Sequence, residues 1–464
     1  MKYRYRTDEE MKDSGVEWLG NIPKEWINTK LAREFQIGSG TTPLSTNLQY
    51  YDGSINWLLT GDLNDNYIYN TSNKITEKAL NDYSTLKLYP KNSLVVAMYG
   101  ATIGKTGITK IETTTNQACC VLYKAKKLKI KFTYYWFIAN KKEIINLSRG
   151  GGQPNISQNL IKSLKLAKPS LNEQEKIEQF LDQKVVQFDS IISKKEALIK
   201  KIEEAKKSVI SETVTGKVKV VKTENGYEVV ARSNEEMKDS TIGLNEKIYC
   251  DFEVISVSNL LRKDILEIQD GNHGELHPTA KDYVDNGVPF VMASDIRNNK
   301  ININACKYIS FERSEKLRIG FSKAGDVLLT HKGTIGEVAV VTETNGYPYI
   351  VLTPQVTYYR LKDKADIDNF YLSYLLRSDF IQKQLKIISE MQSTRAYIGI
   401  VAQRNLKFIV PKLEEQKLIV KYLNYQVNKF DDLIIHNKAQ IEKLKEAKQS
   451  LITEAVTGKI EILD

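Results

Sequence analysis

The chain has 464 residues, of which 41% are hydrophobic and 27% charged. That length is too great for one ordinary core and predicts several domains, while the hydrophobic share excludes wholesale disorder. Lys and Arg number 67 against 57 Asp and Glu, and the resulting net charge of +10 suits an acidic partner without bearing on the fold.

Cys119, Cys120, Cys250 and Cys306 include an adjacent pair and no C-x-x-C, which excludes a disulfide framework. The opening MKYRYRTDEE has no apolar run, and no stretch of about 18 apolar residues follows it. A soluble, cytoplasmic protein with reduced thiols and no membrane contact is expected.

In chain order, residues 26–170 mix short β-like runs, turns and one helix. SLVVAMYG (93–100) reads as a buried strand entering a glycine turn, and CCVLY (119–123) as a second strand. Residues 132–147 carry helical apolar spacing, and GGGQPN (150–155) reads as a loop. From 172 to 212 there is no Pro or Gly, with Pro169-Ser170 before and Gly216 after. This predicts one helix of about 60 Å at 1.5 Å per residue. Residues 249–412 repeat the first pattern. DVLLTHKG (326–333) and VTYYRL (356–361) read as strands, residues 367–388 as a helix, and a second long helix follows from 413.

The long helices are copies. Residues 171–218 align without a gap on 413–460, with 22 of 48 positions identical. EEMKDS occurs at 9–14 and again at 235–240, NWLLTGDL (56–63) faces PFVMASDI (289–296), and ATIGK (101–105) faces GTIGE (333–337). A duplication therefore spans nearly the whole chain. Each helix carries an apolar seam at heptad spacing. It is Val185, Phe188, Ile192, Ile199 and Ile202 in the first, and Val427, Phe430, Ile434, Ile441 and Leu444 in the second. Lys195 and Lys206 interrupt the first seam where Asn437 and Lys448 interrupt the second. The shared seam predicts that the helices pack on each other, with the polar gaps fixing register. The expected architecture is α/β: globular domains at 1–170 and 249–412, long helices at 171–218 and 413–464, and a linker at 219–248. The helices are expected to pair as an antiparallel coiled coil with pseudo-twofold symmetry.

No catalytic constellation emerges. GATIGKT (100–106) has only three residues between its glycines where a phosphate-cradling loop has four, and GTIGEV (333–338) lacks the lysine. His273 and His277 stand four apart, but Gly274 and Pro278 argue against a helix holding both on a metal. The E-x-K pairs Glu204/Lys206 and Glu446/Lys448 fit charged helix faces. Neither a methyl-transfer tetrapeptide nor a dinucleotide fingerprint is present. What the domains offer instead is Asn, Gln, Ser, Thr, Lys and Tyr in turns, the side chains that read base edges and clamp phosphates. In the first domain the candidates are Ser39, Thr41, Thr42, Tyr99, Thr102, Lys105, Arg149, Gln153 and Asn155. In the second they are Asn272, His273, His331, Lys332, Thr334, Gln392, Ser393, Thr394 and Arg395.

The head MKDSGVEWLGNIPKEW (11–26), the elements WLLTGDL (57–63), GATIGK (100–105), TNQACCVL (115–122) and PSLNEQEKI (169–177), and the duplicated tails EAKKSVISETVTGK (204–217) and EAKQSLITEAVTGK (446–459) resemble the specificity subunit of type I restriction-modification enzymes. The resemblance implies two target-recognition domains, each reading half of a bipartite site in double-stranded DNA, with the long helices as a spacer. It also implies a non-catalytic chain that docks two methyltransferase subunits and is joined by endonuclease/translocase subunits. This chain would bind no cofactor, and S-adenosylmethionine, ATP and Mg2+ would serve the partners. The alternative is a coiled-coil adaptor that binds DNA without reading its sequence, which would hold all sequences equally and in a salt-sensitive way. The two helix stretches 171–212 and 413–454 together carry a net charge of −1, so the excess of basic residues lies outside them.

Overall fold

The computed structural model describes residues 1–147, 155–224, 226–240, 246–390 and 397–463. It divides into two compact units, Met1–Glu196 with Lys438–Asp464, and Ala197–Asn437. Both long helices are present, at Leu171–Val214 and Leu413–Val456. Each stops short of the span expected from sequence. Gly216 and Gly458 take φ of +73° and +75°, conformations that suit glycine and end the helix, and strands follow at once.

The first unit is built on a five-stranded sheet in the order Gln36–Ser39, Cys119–Tyr123, Leu94–Ala97, Thr106–Thr109, Asn66–Ile68. Its neighbours are antiparallel except the last two strands, which run parallel. Beside it is a three-stranded sheet of Thr114–Thr115, Tyr51–Leu58 and Asn73–Ile75. The second unit keeps the order of the first four strands, as Leu266–Asp270, Val356–Leu361, Val327–Thr330 and Val338–Val340, beside a five-stranded companion sheet. Leu94–Ala97 and Val327–Thr330 are buried at every residue, as uninterrupted apolar runs in a central strand must be.

Each helix expected near the end of a domain is in fact two. Residues 132–147 divide into Ile130–Ala139 and Lys141–Asn146, and residues 367–388 into Asn369–Arg377 and Asp379–Glu390. The breaks fall at Asn140, whose amide donates to Trp136 O (2.8 Å), and at Ser378, whose hydroxyl donates to Leu375 O (2.6 Å). Short polar side chains that bond the preceding turn compete with helix continuation. Residues 219–248, expected as a linker, contain the hairpin Val218–Thr223/Gly226–Ala231 and the strand pair Met237–Asp239/Lys247–Tyr249. In the first unit Tyr3–Tyr5 pairs with Ile460–Ile462, and Met11–Asp13 with Asn21–Pro23.

One arginine closes each unit in the same way. Arg6 donates to Glu173 (2.7 Å) at the start of the first long helix and to Gly458 O (2.8 Å) and Ile460 O (3.0 Å) beyond the end of the second. Arg232 donates to Glu415 (2.8 Å) at the start of the second helix and to Gly216 O (2.9 Å) beyond the end of the first.

The helix segments within each unit run antiparallel. In the first unit Lys195 reaches Gln440, and Lys448 meets Asp189 at 2.6 Å. In the second, Lys206 meets Asp431 at 2.5 Å, and burial together with the Glu212 carboxylate raises Tyr422 above its ordinary value. Ile192, Ile199, Val427, Ile434 and Ile441 are buried, while Val185, Phe188, Ile202, Phe430 and Leu444 are half-buried. Lys206 and Lys448 thus face an aspartate on the opposite helix rather than a solvated charged face. Among the described residues no helix is long and apolar enough to cross a membrane. Ile434→Ala should lower stability by about 2–4 kcal/mol, whereas Ile435→Ala, at a position 65% exposed, should change it by less than about 0.5 kcal/mol. Chemical denaturation of the two variants side by side checks the seam.

Candidate nucleic-acid interface

In the first unit three loops converge on one end of the five-stranded sheet. The strand Gln36–Ser39 runs into Gly40-Thr41-Thr42, where the Thr42 hydroxyl donates to Gln117 Oε1 (2.7 Å) and Thr41 O accepts from Trp57 Nε1 (3.3 Å). Ser39 O accepts from the buried Tyr89 hydroxyl (3.0 Å). The strand Leu94–Ala97 leads into the turn holding Tyr99, Thr102 and Lys105, closed by Lys105 N–H on Thr102 O (2.9 Å) and Gly104 N–H on Ala97 O (2.9 Å). Tyr99 bridges to Asn155 through the backbone, and Ile156 N–H donates to Met98 O (2.7 Å). Ser39, Thr41, Thr42, Tyr99, Asn155 and the Thr102–Lys105 turn therefore share one end of the unit. Arg149 and Gln153 lie outside the described residues, as does most of the loop at 150–155.

The second unit has the same convergence. Asn272 N–H donates to Leu352 O (2.7 Å), His331 N–H to Gln355 O (2.9 Å), and Ile398 N–H to His331 O (2.9 Å). Lys332 bridges to Tyr397 through the backbone and holds its ammonium 5.9 Å from the Tyr397 ring centre. Thr334 is exposed and accepts from Arg297 (3.4 Å). His273 is exposed, whereas Asn272 and His331 are buried, at 2% and 1% exposure. Gln392, Ser393, Thr394 and Arg395 lie outside the described residues.

Two glycines make the convergence possible. A Cβ on Gly40 would stand 1.7 Å from Thr115 O, and one on Gly271 would stand 1.9 Å from Thr353 O. Each backbone presses on a carbonyl of the segment beside it, which no larger residue permits. The same end gathers the unpaired polar atoms. Among the described residues, the buried side-chain nitrogens and oxygens without a hydrogen-bond partner belong to Thr114, Thr115, Asn272, His331 and Thr353. Such groups cost stability in a monomer and mark places where a ligand or water completes the bonding.

His331 is held by a polar network. The Thr357 hydroxyl donates to Asp270 Oδ1 (2.6 Å), so its oxygen accepts from His331 Nδ1 (2.8 Å) and from Gln403 Nε2 (3.0 Å). Gln403 in turn accepts from the Tyr359 hydroxyl (2.7 Å). With the Thr357 hydroxyl proton on Asp270, the imidazole proton is assigned to Nδ1, and Nε2 has no hydrogen-bond partner among the described residues. Burial holds His331 below the ordinary histidine value, against the pull of Asp270 at 3.9 Å.

Sequence reasoning missed Gln117, Arg297, Thr357, Gln403 and Tyr397. Gln117 lay inside the quoted TNQACCVL, but the others carry no local motif and are joined to the site only by the fold. The shared Asp of TGDL and ASDI proves structural. Asp62 accepts from Leu59 N–H (2.9 Å) and Asp295 from Met292 N–H (2.8 Å), each bracing its own turn. His277 Nδ1 lies on Asn272 O (3.0 Å) and braces a loop.

The neutral, buried histidine has a pH signature. Its folded pKa lies below the unfolded value of 6.5, so the unfolded chain binds the extra proton and stability falls as pH drops through 6.5. Thermal melts should show the natural chain losing stability relative to His331→Met as pH falls below that value. Gly40→Ala and Gly271→Ala should each cost about 1–3 kcal/mol by overpacking, measured by denaturant unfolding.

The family model for the type I restriction modification DNA specificity domain matches residues 23–204 and 261–445. The chain is 25% identical to the specificity subunit of the type I restriction enzyme MjaIX of Methanocaldococcus jannaschii, over 99% of this chain and 98% of that one. It is 22% identical to the MjaVIII specificity subunit of the same organism, over 95% and 94%. A solved structure concerned with complex assembly and conformational transition of the type I R-M system shares the fold. Its TM-score is 0.63 at 15% identity, covering 94% of this chain and 99% of that one. The match covers most of the chain and falls once on each half of the repeat, so this chain belongs to the type I restriction-modification DNA specificity family and carries the family domain twice.

Proposed function

We propose that this chain is the non-catalytic specificity subunit of a type I restriction-modification complex. It recognises a bipartite sequence in double-stranded DNA, one half-site per unit, and assembles with the subunits that act on the DNA. The observation that carries this reading is a single loop convergence built twice from different side chains: Thr41, Thr42, Tyr99 and Asn155 in one unit, and Asn272, His331, Lys332 and Tyr397 in the other. Two domains on one scaffold that differ in their loop-end side chains suit two unlike half-sites, where identical domains would meet a palindrome. The exposed Thr42 and Asn155 in one unit and His273 and Thr334 in the other supply hydrogen-bond donors and acceptors for base edges, and Lys105 and Lys332 supply charge for phosphates.

The partners are two methyltransferase subunits and the endonuclease/translocase subunits. S-adenosylmethionine, ATP and Mg2+ serve those partners, and this chain holds none of them. The complex works in the cytoplasm.

Methylome sequencing of cells with and without this chain tests the reading. Expected is one modified motif of two short half-sites separated by unread bases, present only with the chain. A single contiguous motif, or DNA affinity equal for all sequences, overturns it. Lys105→Ala and Lys332→Ala in the complex should weaken binding to all sequences alike and lower the salt dependence of log Kd by about one unit each.

A further inference from the structure

The end of the sheet that feeds the second unit's loop is polar where the first unit's is apolar. Backbone bonds fix the correspondence. Met98 O accepts from Ile156 N–H as His331 O accepts from Ile398 N–H, and the next residue, Tyr99 or Lys332, bridges to Asn155 or Tyr397. Sheet register fixes the rest. Cys120 lies between Ser39 and Val96, and Thr357 between Asp270 and Leu329. Ile161 follows Asn155 at the interval by which Gln403 follows Tyr397. Ser39, Met98, Cys120 and Ile161 in one unit thus stand where Asp270, His331, Thr357 and Gln403 stand in the other.

The first unit demonstrates that this backbone closes without the polar set, so folding does not require it. The polar set also carries a penalty, since His331 Nε2 is buried without a partner. What directional bonds add is orientation. A methionine has three rotatable bonds and a soft thioether, whereas an imidazole fixed by Thr357, itself fixed by Asp270 and Gln403, holds one pose. His331 is the residue at which the buried strand Val327–Thr330 becomes the exposed turn, and Gly336 N–H closes that turn on Thr330 O (2.9 Å).

We infer that Asp270, Thr357, His331 and Gln403 act as a positioning relay for the Lys332–Gly336 turn, and that the second unit discriminates bases of its half-site through this relay. The inference rests on the DNA-recognition reading above. The relay touches no base. It sets where Lys332, Thr334 and the loop around Asn272 stand when DNA is bound, and the first unit has no counterpart to it.

The test uses the whole complex, with methylation of targets carrying single base changes in either half-site. Thr357→Val and His331→Met should relax discrimination at one half-site by about tenfold, the scale of a single base contact, and leave the other within about twofold. Thr357→Ser keeps the hydroxyl and should retain the natural discrimination. The combined variant Asp270→Ser, His331→Met, Thr357→Cys, Gln403→Ile installs the first unit's set, so it should fold, by its thermal melt, and still show relaxation at that one half-site. Unchanged discrimination in Thr357→Val and His331→Met, or equal loss at both half-sites, overturns the relay. If the natural complex modifies no bipartite motif, the DNA-recognition reading fails instead, and the variants are not needed to show it.

Discussion

Each unit hangs on one buried arginine. Arg6 and Arg232 have side chains only 10% and 5% exposed, and each spends its donors on the start of one long helix and the end of the other. Aromatic rings cover both. Arg6 lies 5.9 Å from the Trp26 ring, and Trp26 Nε1 donates to the same Glu173 (2.8 Å), while Arg232 lies 3.6 Å from the Tyr249 ring. A planar fork that bonds a carboxylate and two carbonyls while stacking on an aromatic face is arginine chemistry that lysine cannot reproduce. Because the guanidinium is out of water, losing its carboxylate would strand a charge, so the pair enforces geometry more than it adds net stability. The strands that follow the helices, the helix starts and the first hairpins all take their places from it.

The helix seam applies the same logic with weaker bonds. Lys206–Asp431 in one unit recurs as Lys448–Asp189 in the other, at the repeat offset of 242 for both members. Partly exposed ion pairs contribute little to stability. Their effect is on register, because a shifted seam would set lysines against isoleucines. The loop ends obey the opposite economy, with buried polar atoms left unpaired where the surface must meet something else.

Much of this was legible in the sequence. The long helices, the central strands and the duplication follow from periodicity and self-similarity, which report local structure and repetition directly. The arginine clamp was not legible: Arg6 and Arg232 precede the two EEMKDS copies at the same distance, but charge alone gives no reason to single them out. The helix breaks at Asn140 and Ser378 were not legible, because apolar spacing continues through them and only a side-chain bond to the backbone decides the outcome. Pairing the two glycine turns by sequence sets Tyr99 opposite His331. The hydrogen bonds set Met98 there, because the second turn is one residue shorter. The polar network around His331 draws residues from four separate segments, and no local pattern can announce such a meeting.

The identity of the two seam ion pairs has a consequence for how the chain keeps to itself. A lysine of one long helix finds its aspartate on the other long helix, and nothing in that bond specifies that both belong to one molecule. A second copy, aligned antiparallel, would satisfy the same pairs and bury the same isoleucines. What favours the internal pairing is that both helices belong to one chain, joined through the folded residues between 214 and 413, and that Arg6 and Arg232 each bind the start of one helix and the end of the other. Exchange of helices between copies would have to open both buried arginine clamps as well as the seam, so the clamps, not the seam, keep the chain to itself.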